Sequence, residues 1–263
     1  MALTTTRREP APVQQPSNVA ARADAATKSY GKGDTMVTAL DSVDITFTES
    51  QFTAIMGPSG SGKSTLMHCV AGLDRLTSGH VFIGDTQLSR LSEKALTRLR
   101  RDRIGFVFQA FNLLPTLTAR ENIELPMKLA GVKPDPEWME TVVTTVGLAD
   151  RLDHQPNELS GGQQQRVAVA RALASRPGII FADEPTGNLD SATGHEILAF
   201  MQQAVAELGQ TIVMVTHDPV AASFADRAVF LADGRIVGDQ ASPTTDSIHD
   251  LMRRLVQQPA TGR

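Results

Sequence analysis

The sequence predicts an α/β fold in which a mostly parallel sheet is covered by helices on both faces. Three observations carry that prediction. Short apolar runs alternate with helix-period segments, a glycine-rich turn joins one such run to a helix, and residues 110–176 carry helix punctuation with few β-branched runs. The 263 residues, 41% hydrophobic and 21% charged, suffice for one large domain without covalent staples. A single cysteine excludes an internal disulfide framework.

Residues 1–23 are rich in Ala, Pro, Gln, Thr and Arg without hydrophobic periodicity, and a disordered tail is expected there. Charge and proline stand where a signal peptide has its apolar segment, which argues against secretion. One domain is expected over 24–240. At its start Leu40, Val43, Ile45 and Phe47 are separated by Asp and Thr, as in antiparallel strands with one buried face. Phe52–Met56 reads as a strand leading through the glycine-rich turn into a helix over 63–71, whose core face carries Leu66, Cys69 and Val70. A basic amphipathic helix over 91–101 and a strand at Ile104–Phe108 follow. The helical subdomain at about 110–176 is punctuated by Thr118 before Ala-Arg-Glu, Pro126, Gly131 and Pro134. Beyond Pro177, strands over 179–182, 211–216 and 228–231 flank a helix at Ser191–Leu208. Residues 241–263 read as a C-terminal tail with a short helix over 247–258.

No apolar run approaches the ~20 residues of a membrane span. The net charge of −4 argues against a general nucleic-acid binder. The other histidines (68, 80, 154, 195, 249) have no metal-ligand spacing.

Three segments carry chemistry. Gly57-Pro58-Ser59-Gly60-Ser61-Gly62-Lys63-Ser64-Thr65 matches G-x-x-x-x-G-K-[ST] between a strand and a helix. Its glycines let backbone N–H groups turn around an anion, and the helix N-terminus adds its positive dipole end. Lys63 reaches the β- and γ-phosphates of ATP, and Ser64 offers a hydroxyl to Mg²⁺. A flexible linker would not need the lysine in that register. In the second segment, residues 179–184, an apolar strand ends in Asp183 and Glu184 at the carboxyl edge of the sheet. Asp183 suits the Mg²⁺ shell and Glu184 can polarise an attacking water; alone, such a pair is more often a helix cap. In the third, Leu159-Ser160-Gly161-Gly162-Gln163 opens a helical run and forms a second anion-binding N-terminus. Without the other segments it would read equally well as a helix start capped by Ser160. One chain does not need two γ-phosphate cradles.

Together with Gln109 closing a strand, Asp190 in Gly-Asn-Leu-Asp and His217 closing another, these segments resemble the complete motif set of an ATP-binding cassette (ABC) ATPase, over about residues 25–238. The resemblance implies a P-loop NTPase with a RecA-like core, an antiparallel β subdomain and an inserted helical subdomain. It implies that two copies pack head to tail and enclose two ATP. The cradle of Gly57, Ser59, Gly60, Ser61, Gly62, Lys63, Ser64 and Thr65 then comes from one copy. Ser160, Gly161, Gly162 and Gln163 come from the other. By the same resemblance Tyr30 stacks on adenine, Gln109 contacts Mg²⁺ and the membrane partner, and His217 senses the γ-phosphate.

A narrower resemblance rests on MGPSGSGKSTLMHCVAGLD, LRRDRIGFVFQAFNLLPTLTARENIELPM and FADEPTGNLDSATG. These look like the branch serving lipoprotein release, macrolide export, haem efflux and the cell-division FtsE–FtsX pair. That branch implies a separate permease with four spans and a large external domain, and a place on the cytoplasmic face of the membrane. An importer subunit or a non-transport ABC ATPase is the alternative. Ser50-Gln51 departs from the family's usual Gly-Glu at a surface turn. Phe111, Leu113, Leu114 and Leu117, within 109–126, are expected to meet the permease, the alternative being that they pack the helical subdomain.

Overall fold

Two sheets organise residues 18–257, the part of the chain that the computed structural model describes. In chain order the elements are β1 (Val19–Tyr30), β2 (Val37–Thr48), β3 (Phe52–Met56), α1 (Lys63–Val70), β4 (Ser78–Ile83), β5 (Thr86–Gln87), α2 (Glu93–Arg103) and β6 (Ile104–Phe108). A helical stretch of α3 (Ala119–Ala130), α4 (Pro136–Thr145) and α5 (Gly161–Ala174) comes next. It leads into β7 (Ile179–Asp183), α6 (Ser191–Leu208), β8 (Ile212–Val215), α7 (Pro219–Ala222), β9 (Arg227–Ala232), β10 (Arg235–Ala241) and α8 (Thr245–Gln257).

The larger sheet has the order β10-β9-β3-β8-β7-β6, and only β10 runs antiparallel to its neighbour. All five residues of β3 are buried, as a central parallel strand covered on both faces requires. Helices α3 to α6 pack on one face through Ile123, Val142, Val167, Leu173, Ile197 and Met201. The other face meets α1, which lies between it and the smaller antiparallel sheet β2-β1-β4-β5. Leu66, Met67, Cys69 and Val70 are buried there, and burial pushes the Cys69 thiol up to about 12. Helix α1 is therefore fixed from two sides, and its N-terminus is set against the end of β3. No helix among the described residues is long and apolar enough to cross a membrane.

Three expectations need correction. The tail expected over 1–23 overlaps β1 by Val19 to Ala23, where Ala20, Ala21 and Ala23 are buried against the second core. Alanine has low strand propensity, so the strand owes its place to packing under neighbouring side chains; residues 1–17 lie outside those described. The tail expected from 241 begins instead inside β10, and α8 is anchored by Ile248, which is fully buried with Leu251 and Met252 packed beside it. Leu113, expected on the surface, is partly buried on the main core, whereas Leu114 is 45% exposed.

The irregular spacing of Leu40 and Val43 also has a cause. The β1–β2 register shifts there, and Ser42 adopts φ +53°. That bulge keeps both side chains on the buried face.

Candidate active site

The strand ends on one edge of the large sheet carry the chemistry. After β3 the chain turns through Gly57 (φ +146°), Gly60 (φ +79°) and Gly62 (φ +101°) before α1 begins at Lys63. A Cβ on Gly57 would lie 2.0 Å from the Leu231 carbonyl oxygen, and one on Gly62 would lie 2.2 Å from that of Ala39. Glycine is required at both by conformation and by space. Ser59 and Gly60 are exposed at the tip, whereas Ser61 is buried with its hydroxyl unpartnered. Lys63 is only 8% exposed, and its Nζ donates to the carbonyls of Gly57 and Pro58, both at 2.9 Å. Burial holds its ammonium below the usual lysine range, while Glu184 and Asp183 pull the other way. A loop of inward-turned glycines, a helix N-terminus and a desolvated cation form a cradle that fits phosphate.

Beside it, Ser64 Oγ stands 3.5 Å from Asp183 Oδ1, at the end of β7. Burial raises the Asp183 carboxyl above the usual carboxylate range, with nearby Glu184 adding to the rise and His68 opposing it. No group of three or more His, Cys, Asp or Glu among the described residues could hold a metal alone. A hydroxyl and a carboxylate next to a phosphate cradle do suit Mg²⁺, which is usually bound by one or two protein ligands plus phosphate oxygens and water. Glu184 follows at φ +45°, a conformation costly for a non-glycine residue. Its N–H donates to the Val215 carbonyl, and its Oε1 accepts from His217 Nδ1 at 2.9 Å. The ends of β7 and β8 thus bring a carboxylate and an imidazole into direct contact. Phe108 pairs with Asp183 across β6 and β7, so Gln109 leaves the sheet at the same edge.

The ABC transporter family profile matches residues 40–187. The chain belongs to the ABC transporter family. An ABC transporter ATP-binding protein of Methanocaldococcus jannaschii, MJ0796, is 47% identical over 216 residues, 80% of this chain and 92% of that protein. The lipoprotein-releasing system ATP-binding protein LolD of Geobacter metallireducens is 47% identical over 81% of this chain and 96% of its own length. The macrolide export ATP-binding/permease protein MacB of Marinobacter nauticus is 46% identical over 81% of this chain but 33% of its own length. A solved dimeric structure of the MJ0796 cassette, in a post-hydrolysis state bound to ADP and Pi, superposes with a TM-score of 0.75 at 43% identity, covering 84% of this chain and 98% of that one. This chain is accordingly an ABC ATPase, the ATP-hydrolysing part of a transporter.

The remaining ABC motif residues divide: Ser160–Gln163 open α5, whereas Tyr30 stands beside Thr65 of the cradle. Ser160 caps α5: its Oγ accepts from the Gln163 N–H at 3.3 Å, and its own N–H donates to Gln163 Oε1 at 2.9 Å. Gly161 is exposed, with Leu189 and Phe111 nearby; Gly162 is buried, and a Cβ there would lie 2.3 Å from Thr193 Cγ2. No side-chain hydrogen bond among the described residues joins 159–163 to 57–65. Tyr30 ends β1 with 44% exposure; its hydroxyl donates to Asp74 Oδ2 at 2.8 Å, and Lys28 Nζ lies 4.7 Å from its ring centroid.

Several residues that hold this site carried no motif signal. Fully buried Asn122 donates to the carbonyls of Leu114, Leu117 and Thr118 and accepts from the Leu114 N–H. Arg171 donates to the carbonyls of Phe111 and Asn112 at 2.8 and 2.6 Å, and both those residues have positive φ. The loop after Gln109 is thus strained locally and restrained from two helices. The clue the sequence holds is a polar Asn122 on the apolar stripe of Ala119, Ile123 and Met127, since a buried asparagine must find partners.

Proposed function

We propose that this chain is the ATPase subunit of an export-type ABC transporter, acting as a homodimer with a separate permease on the cytoplasmic face of the membrane. The permease is proposed to have four spans and a large external domain. The observation that carries the dimer is the capped α5 N-terminus with exposed Ser160 and Gly161, which has no bond to its own cradle. A helix N-terminus of this kind suits the γ-phosphate of ATP held by a second copy. In each composite site, residues 57–65 hold the phosphates, and Ser64, Asp183 and Gln109 contact Mg²⁺, which neutralises phosphate charge. Glu184 positions the attacking water with His217 beside it, and Tyr30 stacks on adenine. Ser160, Gly161, Gly162 and Gln163 close the site in trans. Export is supported by the similarity to LolD and MacB, and to the bacitracin export protein BceA of Halalkalibacterium halodurans at 44% identity.

Mixing two defective subunits tests the dimer. A Lys63→Ala subunit and a Ser160→Arg subunit together retain one intact composite site, while each homodimer has none. ATP-dependent dimerisation is expected for the mixture in size-exclusion chromatography and absent for either variant alone. A mixture that stays monomeric with ATP would overturn the trans arrangement.

The permease is proposed to dock in an apolar groove of about 470 Å³ between the sheet edge and α3. Leu73, Phe106, Phe108, Leu125, Pro126 and Leu129 line it, and Leu129 is 70% exposed. Leu73 is exposed on the same groove, and an apolar patch of this kind supports a docking surface. Leu129→Asp should abolish copurification with the permease while leaving the melting curve and basal ATPase within error of wild type. Retained association would sink this assignment.

A further inference from the structure

Gln109 does not stand free at the sheet edge. Its Nε2 donates to Asn188 Oδ1 at 3.1 Å, and Asn188 Nδ2 donates back to the Gln109 main-chain oxygen at 3.0 Å. The order of these two bonds fixes both amides. A main-chain carbonyl can only accept, so Asn188 must turn its nitrogen toward it and its oxygen toward the Gln109 side chain. Facing an acceptor, Gln109 must in turn present nitrogen. Its Oε1 is left as the end able to ligate a cation.

We propose that Asn188 is a positioning residue that takes the nitrogen of the Gln109 amide and so commits Oε1 to Mg²⁺. This rests on the proposed contact between Gln109 and the cation, and it adds the residue that sets the orientation. Two further features support it. A Cβ on Gly187 would lie 2.8 Å from Gln109 Nε2, so glycine before Asn188 leaves the space in which the amides meet. Fully buried Gln165 donates through Nε2 to the carbonyls of both Pro185 and Phe108. It ties the turn that bears Asn188 to the end of β6 just before Gln109, so the pair is set by two fixed backbones.

A free glutamine amide samples both flips, and one of them presents N–H groups to a cation. Loss of Asn188 should therefore weaken Mg²⁺ without weakening nucleotide. The test is equilibrium binding of a fluorescent non-hydrolysable ATP analogue, titrated with Mg²⁺, for wild type, Asn188→Leu, Gln109→Ala and the double variant. Asn188→Leu is expected to raise the Mg²⁺ concentration that gives half of the affinity gain roughly three- to tenfold, the scale of one net hydrogen bond. Gln109→Ala should do the same, the double variant no more than either alone, and binding in EDTA should match wild type throughout. Asn188 is exposed, so the fold tolerates the change, and Asn188→Ala provides a second variant with no added bulk. If Gln109→Ala shifts the midpoint and neither Asn188 variant does, or if the effects add in the double variant, the positioning role is wrong and the Gln109 contact stands. If no variant shifts it, the Gln109 contact itself fails, and the positioning role with it.

Discussion

Glu184→Gln is expected to lower ATP turnover by about two to four orders of magnitude while leaving the fold intact and ATP binding undiminished. Glutamine keeps the length of the side chain and an oxygen that can accept the His217 Nδ1–H bond, now 2.9 Å long. It also leaves the backbone bond to Val215 and the positive φ at this position unchanged. What disappears is a charge and a proton acceptor. The loss should therefore fall on kcat, and removing a negative charge next to the phosphate cradle should prolong the ATP-bound dimer. A phosphate-release assay and size-exclusion chromatography with ATP decide it. Turnover within tenfold of wild type, or a variant that stays monomeric where wild type dimerises, would contradict the role.

How the fold reads from sequence depends on where each element gets its stability. Strands β3, β7 and β8 are buried on both faces, so they are written as continuous apolar runs that punctuation delimits. Helix α6 begins at the Asp190 cap and ends at Gly209 in the left-handed region, both local signals. Strand β1 has no comparable local signature. Its buried positions are alanines that matter only because α1 and the neighbouring strands of the same sheet cover them. Helix α8 reads as a short helix in a tail until Ile248 is seen to complete a core whose other members lie far away in sequence.

The site divides in the same way. Phosphate and cation chemistry sits at the ends of strands in contiguous segments, so Gly57–Thr65, Asp183, Glu184 and Ser160 could be named as candidates from spacing alone. The side chains that hold Tyr30, Gln109 and the loop after Gln109 act across long separations. Lys28 meets Asp74 over 46 positions, Arg171 meets Phe111 over 60, and Asn188 meets Gln109 over 79. No local pattern encodes such pairs, because the partner of each is a single carboxylate, backbone carbonyl or amide brought in by the fold.

Lys63→Met should separate the cost of the cradle from its use. The ammonium of Lys63 is buried against two carbonyls, and burial lowers its pKa from 10.5. A base whose folded pKa lies below its unfolded value binds more protons unfolded than folded between the two values. Stability therefore rises with pH across that window, and the penalty is fully present at pH 7. Methionine keeps the apolar stem and removes the charge. The nucleotide-free variant is expected to melt no lower than wild type at pH 7 and to lose the rise in stability between the lowered pKa and 10.5. Phosphate binding changes in the opposite direction, since no neighbour replaces a charge-assisted donor to the β- and γ-phosphates. A loss of about 10²-fold in affinity is expected, the scale of such bonds. At a nucleotide concentration 100 times its wild-type Kd, ligand stabilisation of about 2.7 kcal/mol should then fall to about 0.4 kcal/mol in the variant. Paired melting curves with and without ADP and Mg²⁺ read both effects in one experiment. An unchanged nucleotide shift would refute the phosphate contact, and a lower melting point without nucleotide would refute the buried-charge penalty.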